Sequence, residues 1–135
     1  MASRHRGRVL ALMGLYQTDL VEASLKDVLT FAYFDKPTTQ EEREHATFLI
    51  KGVVDNWEKI DTIIKENSAN WELSRISIVN RSILRLSIFS MMQEEWTPAA
   101  VIIDEALLLT REYESEESVG FINGILDSIK KKLHP

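Results

Sequence analysis

Apolar residues recur at helical spacing through the last part of the chain, and this pattern predicts a final helix. The apolar positions are Phe121, Ile122, Ile125, Leu126, Ile129 and Leu133. Ser115 precedes them as an N-cap, because its hydroxyl can accept a hydrogen bond from a free N–H of the first turn. Glu116 and Glu117 place negative charge at the positive end of the helix dipole, and three lysines close the other end.

Two glycines lie inside this final helix, four residues apart. Gly120 and Gly124 each cost about 1 kcal/mol relative to alanine in a helix interior, and they leave backbone bare on one face. We expect a neighbouring helix to pack closely against that face, since an unexplained helical glycine usually has a packing reason. The alternative is the close approach of a ligand or partner beside Phe121 and Asn123.

The first half of the chain shows the same helical period. An amphipathic first helix is predicted from the apolar positions Val9, Leu12, Met13, Tyr16 and Leu20. Residues 23–34 are predicted to form a second helix with Ser24 as its cap. The segment Thr39–Glu42 is a capping box that opens a third helix. That helix either runs unbroken to Glu66 or restarts near Asp55.

The second half begins after a polar run of turn-forming residues, 67–70. The spacing of apolar residues in 71–95 fits either a strand or a helix. The length of this segment without glycine or proline favours a helix. Thr97 as a cap and Pro98 at the first helical position start the next helix, residues 99–112. Apolar residues surround most of the circumference of that helix, which predicts a central, buried element.

The predicted fold is all-α: one domain formed by a compact bundle of six or seven helices in two packed helical halves, about residues 1–67 and 71–133. At 135 residues, with 44% apolar and 27% charged residues, the chain has the composition of an ordinary globular protein. The absence of cysteine excludes disulfides and thiolate metal sites, and it fits a reducing compartment.

Charge is unevenly distributed along the chain. Arg4, Arg6 and Arg8 give the first eight residues +3, which leaves −8 for the others and −5 overall. Arg4 and Arg8 are i,i+4 neighbours and repel each other unless an anion lies between them. The basic end is therefore either a solvated, frayed terminus or a local site for phosphates. A signal peptide would also start this way, but the helical pattern continues past its apolar run.

Groups suited to catalysis are sparse. His5, His45 and His134 are dispersed, with no pair at metal-ligand spacing. The sequence contains no nucleophile elbow, phosphate-binding glycine loop or dinucleotide fingerprint, so we expect no enzyme, no metal and no cofactor. Arg81 and Arg85 share one face of a predicted helix, which is either a solvated stripe or a second basic contact surface.

Four segments together resemble the NusB family of bacterial transcription antitermination factors, in order and spacing, over nearly the whole chain. They are LYQ (15–17) behind the arginine-rich start, NRSILRLSIF (80–89), PAAVIIDEALLLTREY (98–113) and SVGFINGILD (118–127). The resemblance implies a helical double bundle that binds a short single-stranded RNA element, boxA, together with the ribosomal protein NusE. That complex loads onto elongating RNA polymerase during ribosomal RNA transcription. A cytoplasmic, non-enzymatic protein without a membrane association is implied, and a homodimer that hides the RNA face stays open.

The resemblance also implies the site residues. Those matching the RNA-binding motifs are Arg4, His5, Arg6, Arg8, Tyr16, Glu117, Ser118, Phe121 and Asn123. Arginines neutralise phosphates, and the rings of Tyr16 and Phe121 offer faces to unstacked bases, each worth about 1 to 3 kcal/mol where it stacks. Asn123 has an alternative role as a hydrogen bond between helices. By the same resemblance, Asn80, Arg81 and Arg85 lie toward the protein partner.

Two other hypotheses remain at this level. One is a helical protein-interaction module whose basic end is merely solvated. The other is a relationship to RNA cytosine methyltransferases, some of which carry a similar N-terminal domain, although 135 residues leave no room for a catalytic part. The chain also departs from many NusB relatives at Gly120, where they carry a basic residue.

Overall fold

The computed structural model describes residues 2–69, 72–93 and 97–133. Its seven α-helices are α1 Ala2–Val21, α2 Leu25–Val28, α3 Gln40–Asp55, α4 Trp57–Asn67, α5 Ile78–Gln93, α6 Ala99–Tyr113 and α7 Glu116–Leu133. A 3-10 turn, Leu73–Arg75, precedes α5. These ranges contain no β-strand, so the all-α prediction is confirmed. The predicted positions Asn70, Trp71, Glu95 and His134 lie outside the described residues.

Helix α1 is part of the core, as its amphipathic pattern predicted. Its inner face buries Val9, Leu10, Ala11, Leu12 and Leu15 against α3 and α5. Gly14 sits at a close approach, because a Cβ at this position would lie 2.8 Å from side-chain atoms of both Ile50 and Val28. The first helix is therefore held along its length by neighbours from the N-terminal half and by α5.

The predicted second helix is much shorter than residues 23–34. Ser24 caps it as expected, accepting a hydrogen bond from the Asp27 N–H at 3.2 Å. The helix ends at Val28, and turns follow through Tyr33. Phe31 has a φ of 57°, in the left-handed region, so the right-handed helix cannot continue through it. The prediction of a helix over residues 23–34 was therefore wrong. Apolar residues keep helical spacing beyond Val28, but the backbone turns at the buried Phe31.

The capping box at the start of α3 is confirmed. The Glu42 N–H donates to Thr39 Oγ1 at 3.1 Å, and the Thr39 N–H donates to the Glu42 carboxylate at 2.9 Å. Helix α3 ends at Asp55 and α4 begins at Trp57. Of the two predicted alternatives, the one in which a new helix starts near Asp55 is therefore confirmed. The side chain of Asn56 donates to the Gly52 carbonyl at 2.8 Å and so satisfies one of the last carbonyls of α3.

Helix α5 is the central element, and the prediction that residues 99–112 would occupy that place was wrong. Every residue from Ser82 to Met91 is buried, and α5 packs against α1, α3, α4, α6 and α7. Helix α6 instead leaves Val101 46% and Leu108 42% exposed. Pro98, and not Thr97, occupies the cap position before α6. No helix among the described residues is long and apolar enough to cross a membrane.

Candidate nucleic-acid interface

The ring of Phe121 forms one wall of a pocket of about 400 Å³ between the start of α7 and the start of α5. The other lining residues are Arg75, Ile76, Ser77, Asn80, Glu117 and Ser118. Phe121 packs partly against the core and stays partly exposed. A ring in this position is stabilised by the core, and its exposed part can stack against a base.

The N-cap of α7 holds the wall of this pocket in place. The Ser118 N–H donates to Ser115 Oγ at 3.3 Å, which confirms the predicted cap. Ser118 Oγ in turn accepts from Asn80 Nδ2 at 3.0 Å. Asn80 is only 7% exposed, and its Oδ1 is buried without a hydrogen-bond partner. The start of α7 thus fixes the amide of α5 that faces the pocket.

The glycine face of α7 is open, and the packing explanation for it was wrong. A Cβ added at Gly120 or Gly124 would have no neighbouring atom within 4 Å. Asn123 is exposed as well, which rules out the predicted alternative of a buried hydrogen bond between helices. The bare backbone therefore faces outward beside Phe121.

A second concave feature, the tyrosine groove, lies between α1 and the end of α6. It encloses about 200 Å³ and is lined by Leu12, Met13, Tyr16, Gln17, Tyr33, Val79 and Tyr113. The Tyr33 hydroxyl donates to the Leu10 carbonyl at 3.0 Å, and burial raises the pKa of this phenol. Tyr16 is 36% exposed, so its ring stands at the edge of the groove where a partner can reach it.

The basic end of α1 is a packed corner, so the interpretation as a frayed, solvated terminus was wrong. His5 places Nδ1 3.0 Å from Glu105 and Nε2 3.1 Å from Glu112, both on α6. The guanidinium of Arg6 donates to the Pro37 carbonyl at 2.9 Å and lies 5.2 Å from the centre of the Phe34 ring. These contacts order both side chains before any ligand binds.

Arg8 lies deeper in the same corner and is only 5% exposed. Gly7 allows α1 to approach α3 there, because a Cβ on Gly7 would lie 2.8 Å from the ring of His45. Burial, with added repulsion from Arg8 and Arg4, lowers the pKa of His45 to about 4. His45 is therefore neutral at pH 7 and adds no charge to the basic corner.

The end of α6 joins the three features into one surface, which we call the α6-end strip. Glu112 contacts His5 in the basic corner, and Tyr113 lines the tyrosine groove. The next residue, Glu114, accepts a hydrogen bond of 2.9 Å from Ser77, which lines the Phe121 pocket. Three consecutive residues therefore touch the basic corner, the tyrosine groove and the Phe121 pocket in turn.

The arginines of α5 form ion pairs with two aspartates. Asp19 lies 2.9 Å from Arg81 and 2.7 Å from Arg85, and Asp61 lies 2.8 Å from Arg85. The guanidinium of Arg85 also stacks 3.9 Å from the centre of the Trp57 ring, and its side chain is 3% exposed. A solvated stripe is thus wrong, and the charge is neutralised by carboxylates of α1 and α4. The partner contact at these arginines stays a prediction.

Comparison with known proteins assigns the chain to a family. Residues 5–131 match the model of the NusB family. The chain belongs to the NusB family. The transcription antitermination protein NusB of Leptospira biflexa is 58% identical over 98% of this chain and 94% of its own length.

Solved structures of NusB proteins have the same fold. T. maritima NusB superposes with a TM-score of 0.89 at 33% identity, covering 98% of this chain and 93% of that one. A crystal structure of the antitermination factors NusB and NusE in complex with dsRNA matches with a TM-score of 0.81 at 25% identity, covering 98% of each chain. The family resemblance inferred from the four sequence segments is confirmed.

Sequence reasoning missed several residues of the strip, namely Arg75, Ser77, Tyr33 and Tyr113. Ser77 had a detectable signal, because its hydroxyl accepts from the Asn80 N–H at 3.1 Å as a helix cap would. The two tyrosines had none, since their convergence depends on how α1 meets the end of α6. Asn80 was placed with Arg81 and Arg85, yet it faces the Phe121 pocket.

Proposed function

We propose that this protein is a cytoplasmic transcription antitermination factor that binds single-stranded boxA-type RNA together with NusE during ribosomal RNA transcription. The α6-end strip is the observation that carries the proposal, since it joins cations and a partly exposed ring on one surface of a NusB-family protein. Elongating RNA polymerase would be engaged indirectly, through the complex. Activity here is binding, with no catalytic step.

Single-stranded RNA suits the strip better than a duplex does. Bases in a duplex are already stacked on one another, whereas unpaired bases can stack on an aromatic face. The partly exposed rings of Phe121 and Tyr16 offer two such sites. Phosphates between them are expected toward the basic corner, where Arg4 and Arg6 are partly exposed on a chain of net charge −5.

The tyrosine groove supports the NusE part of the proposal. Its walls are mostly apolar and aromatic, a composition that is typical of the centre of protein interfaces. The solved NusB and NusE complex with dsRNA, which this fold matches, supports the same partner. This groove also favours the second candidate function, a helical protein-interaction module that binds no RNA.

Salt dependence separates the two functions. If roughly three phosphates are neutralised, log K for a boxA-like RNA falls with log salt at a slope near −2, about −0.7 per contact on single strands. Arg4→Gln should reduce that slope by about one contact. Lys59→Gln, which removes an exposed charge from α4, is the matched control and should leave the slope unchanged. A flat salt response of the wild-type protein would leave only the protein-interaction module.

Removing the ring tests the Phe121 pocket directly. Phe121→Ala should weaken RNA binding by about 1 to 3 kcal/mol, the value of one stacked base. The free energy of unfolding, followed through the melting temperature, should fall by less than the free energy of RNA binding, because the ring is only partly buried. Phe48→Ala provides the control, since Phe48 is 43% exposed on α3 and contacts Phe89 instead of the strip. Unfolding of Phe121→Ala would instead assign the ring to the core.

A further inference from the structure

Arg75 differs from the other arginines in the described part of the chain, because its guanidinium has no protein partner there. Arg75 is exposed and forms no ion pair or side-chain hydrogen bond with a described residue. A guanidinium has five N–H donors, so Arg75 keeps all of them for water or for a ligand. The protein itself engages the remaining arginines through ion pairs, hydrogen bonds or other interactions: Arg4, Arg6, Arg8, Arg43, Arg81, Arg85 and Arg111.

The backbone that carries Arg75 is held on both sides. Arg75 ends the 3-10 turn, and its N–H donates to the Glu72 carbonyl at 2.9 Å. The next residue, Ile76, is 3% exposed and belongs to the core. Arg81 Nη1 donates to the carbonyls of Leu73 and Ile76, at 3.3 and 3.0 Å. A ligand of Arg75 therefore has to order only the side chain, which lowers the entropic cost of binding.

Arg75 is also the cation of the Phe121 pocket. Two charged residues line this pocket, Arg75 and Glu117, and they do not form an ion pair with each other. The exposed carboxylate of Glu117 alone would repel a phosphate. The guanidinium and the partly exposed ring of Phe121 border the same space, so a base and its neighbouring phosphate can be bound there together.

We propose that Arg75 binds a backbone phosphate of the single-stranded RNA, next to the nucleotide whose base stacks on Phe121. This inference rests on the proposed RNA binding and adds a contact at the opposite end of the α6-end strip from the basic corner. The basic corner meets the strip at Glu112, and the Phe121 pocket meets it at Glu114 through Ser77. The RNA is thus held by cations at both ends of the strip.

A phosphate suits Arg75 better than a carboxylate of the protein partner does. The forked donors of a guanidinium fit both kinds of anion, so the surroundings decide between them. Arg75 borders an aromatic ring that is accessible to a base, whereas the mostly apolar walls typical of a protein interface lie in the tyrosine groove. Binding of Arg75 to the protein partner is therefore treated as an outcome that would contradict the proposal.

Salt titration of a boxA-like RNA, followed by fluorescence anisotropy, tests the contact. Arg75→Gln keeps a polar side chain and removes the charge. It should weaken binding about tenfold at low salt, the lower end of what a charged hydrogen bond contributes. The salt slope should become shallower by about 0.7, the value of one contact on a single strand. Lys59→Gln removes an exposed positive charge from α4 and should change neither quantity. An unchanged slope in Arg75→Gln would overturn the proposal.

A conservative variant separates the charge of Arg75 from its shape. Arg75→Lys keeps the positive charge and loses the planar fork. It should show the salt slope of the wild-type protein, with an affinity between those of the wild type and Arg75→Gln. Neither variant should lower the melting temperature, because the guanidinium is exposed and has no partner to lose. A slope in Arg75→Lys as shallow as that of Arg75→Gln would contradict a charge contact.

A double-mutant cycle tests whether Arg75 and Phe121 hold the same nucleotide. In the Phe121→Ala protein, Arg75→Gln should cost about threefold in RNA affinity instead of about tenfold. The phosphate is then no longer fixed by a stacked base, and residues that share a ligand group do not contribute additively. The same tenfold loss in both backgrounds would refute the assignment of Arg75 to the nucleotide in the pocket.

These titrations separate failure of the inference from failure of the proposed function. Salt-dependent binding by the wild-type protein that Arg75→Gln leaves unchanged would contradict the inference and leave RNA binding intact. An Arg75→Gln protein that binds RNA normally but loses affinity for NusE would assign Arg75 to the protein partner and overturn the inference. Absence of salt-dependent RNA binding by the wild-type protein would refute both.

Discussion

Helices α5 and α7 pack against each other, yet the glycines they contact or contain and the charges they carry lie in contrasting surroundings. Helix α5 is buried on all sides from Ser82 to Met91, and the ring of its Phe89 fills the space beside Gly52 of α3. Helix α7 buries only one face, and its Gly120 and Gly124 have nothing beside them. A glycine inside a helix can therefore mark the closest contact of the core or the barest part of the surface. Sequence alone treats the two cases identically.

The charged groups of the two helices show the same contrast. Arg81 and Arg85 of α5 share Asp19, whose side chain is 14% exposed. On α7, Lys131 and Asp127 form a pair at 3.1 Å with side chains 75% and 45% exposed. An exposed pair contributes little because water screens it, whereas a buried cation that loses its partner stays uncompensated. The core helix and the surface helix should thus respond very differently to the same substitution.

The largest expected effect is at Asp19. Asp19→Ala should lower the free energy of unfolding by about 3 to 5 kcal/mol, because it leaves the guanidiniums of Arg81 and Arg85 short of an anion. Urea denaturation measures the loss. Asp127→Ala is the matched control, and it should change stability by less than about 1 kcal/mol. Similar losses in the two variants would remove the contrast between α5 and α7.

A smaller destabilisation is expected at Gly52. Gly52→Ala adds a methyl group where the ring of Phe89 lies, and such overpacking costs about 1 to 3 kcal/mol. Thermal unfolding should show a lower melting temperature. An unchanged or raised melting temperature would mean that α3 and α5 separate at little cost, contrary to their close approach.

The smallest effect, of opposite sign, is expected at the outer face of α7. Gly120→Ala and Gly124→Ala should each stabilise the protein by up to about 1 kcal/mol, because alanine favours the helix and its methyl group meets open space. RNA binding should weaken in both variants if the RNA strand approaches the bare backbone of α7 beside Phe121. Destabilisation by either substitution would show that the face is not open in solution.

Local signals were the reliable part of the sequence. The capping box of Thr39 and the caps at Ser24 and Ser115 were found correctly, since each depends on atoms within four residues. The central helix was assigned wrongly, to residues 99–112. Burial of α5 depends on the five other helices that surround it. Its serines and arginines are residue types that usually lie at the surface, so the sequence does not indicate that α5 is buried.

Among the candidate site residues, too, some were found from the sequence, whereas their arrangement follows only from the tertiary structure. Phe121, Tyr16 and the basic start were found through the family resemblance, but only the fold brings them onto one strip through Glu112, Tyr113 and Glu114. Arg85 looked like a surface cation and proved to be buried between Asp19 and Asp61.

By itself the sequence determined the helices, most of their caps and the family, because helical period, capping chemistry and motif order are carried by residues near one another in the chain. The tertiary structure alone decided which glycines are packed, which arginines are neutralised and which amide oxygen is buried without a hydrogen-bond partner. Those properties depend on neighbours that lie far away in the chain, such as Asp19, which is 66 residues from Arg85. Contacts of that kind follow from how the helices pack and leave no pattern in any single segment.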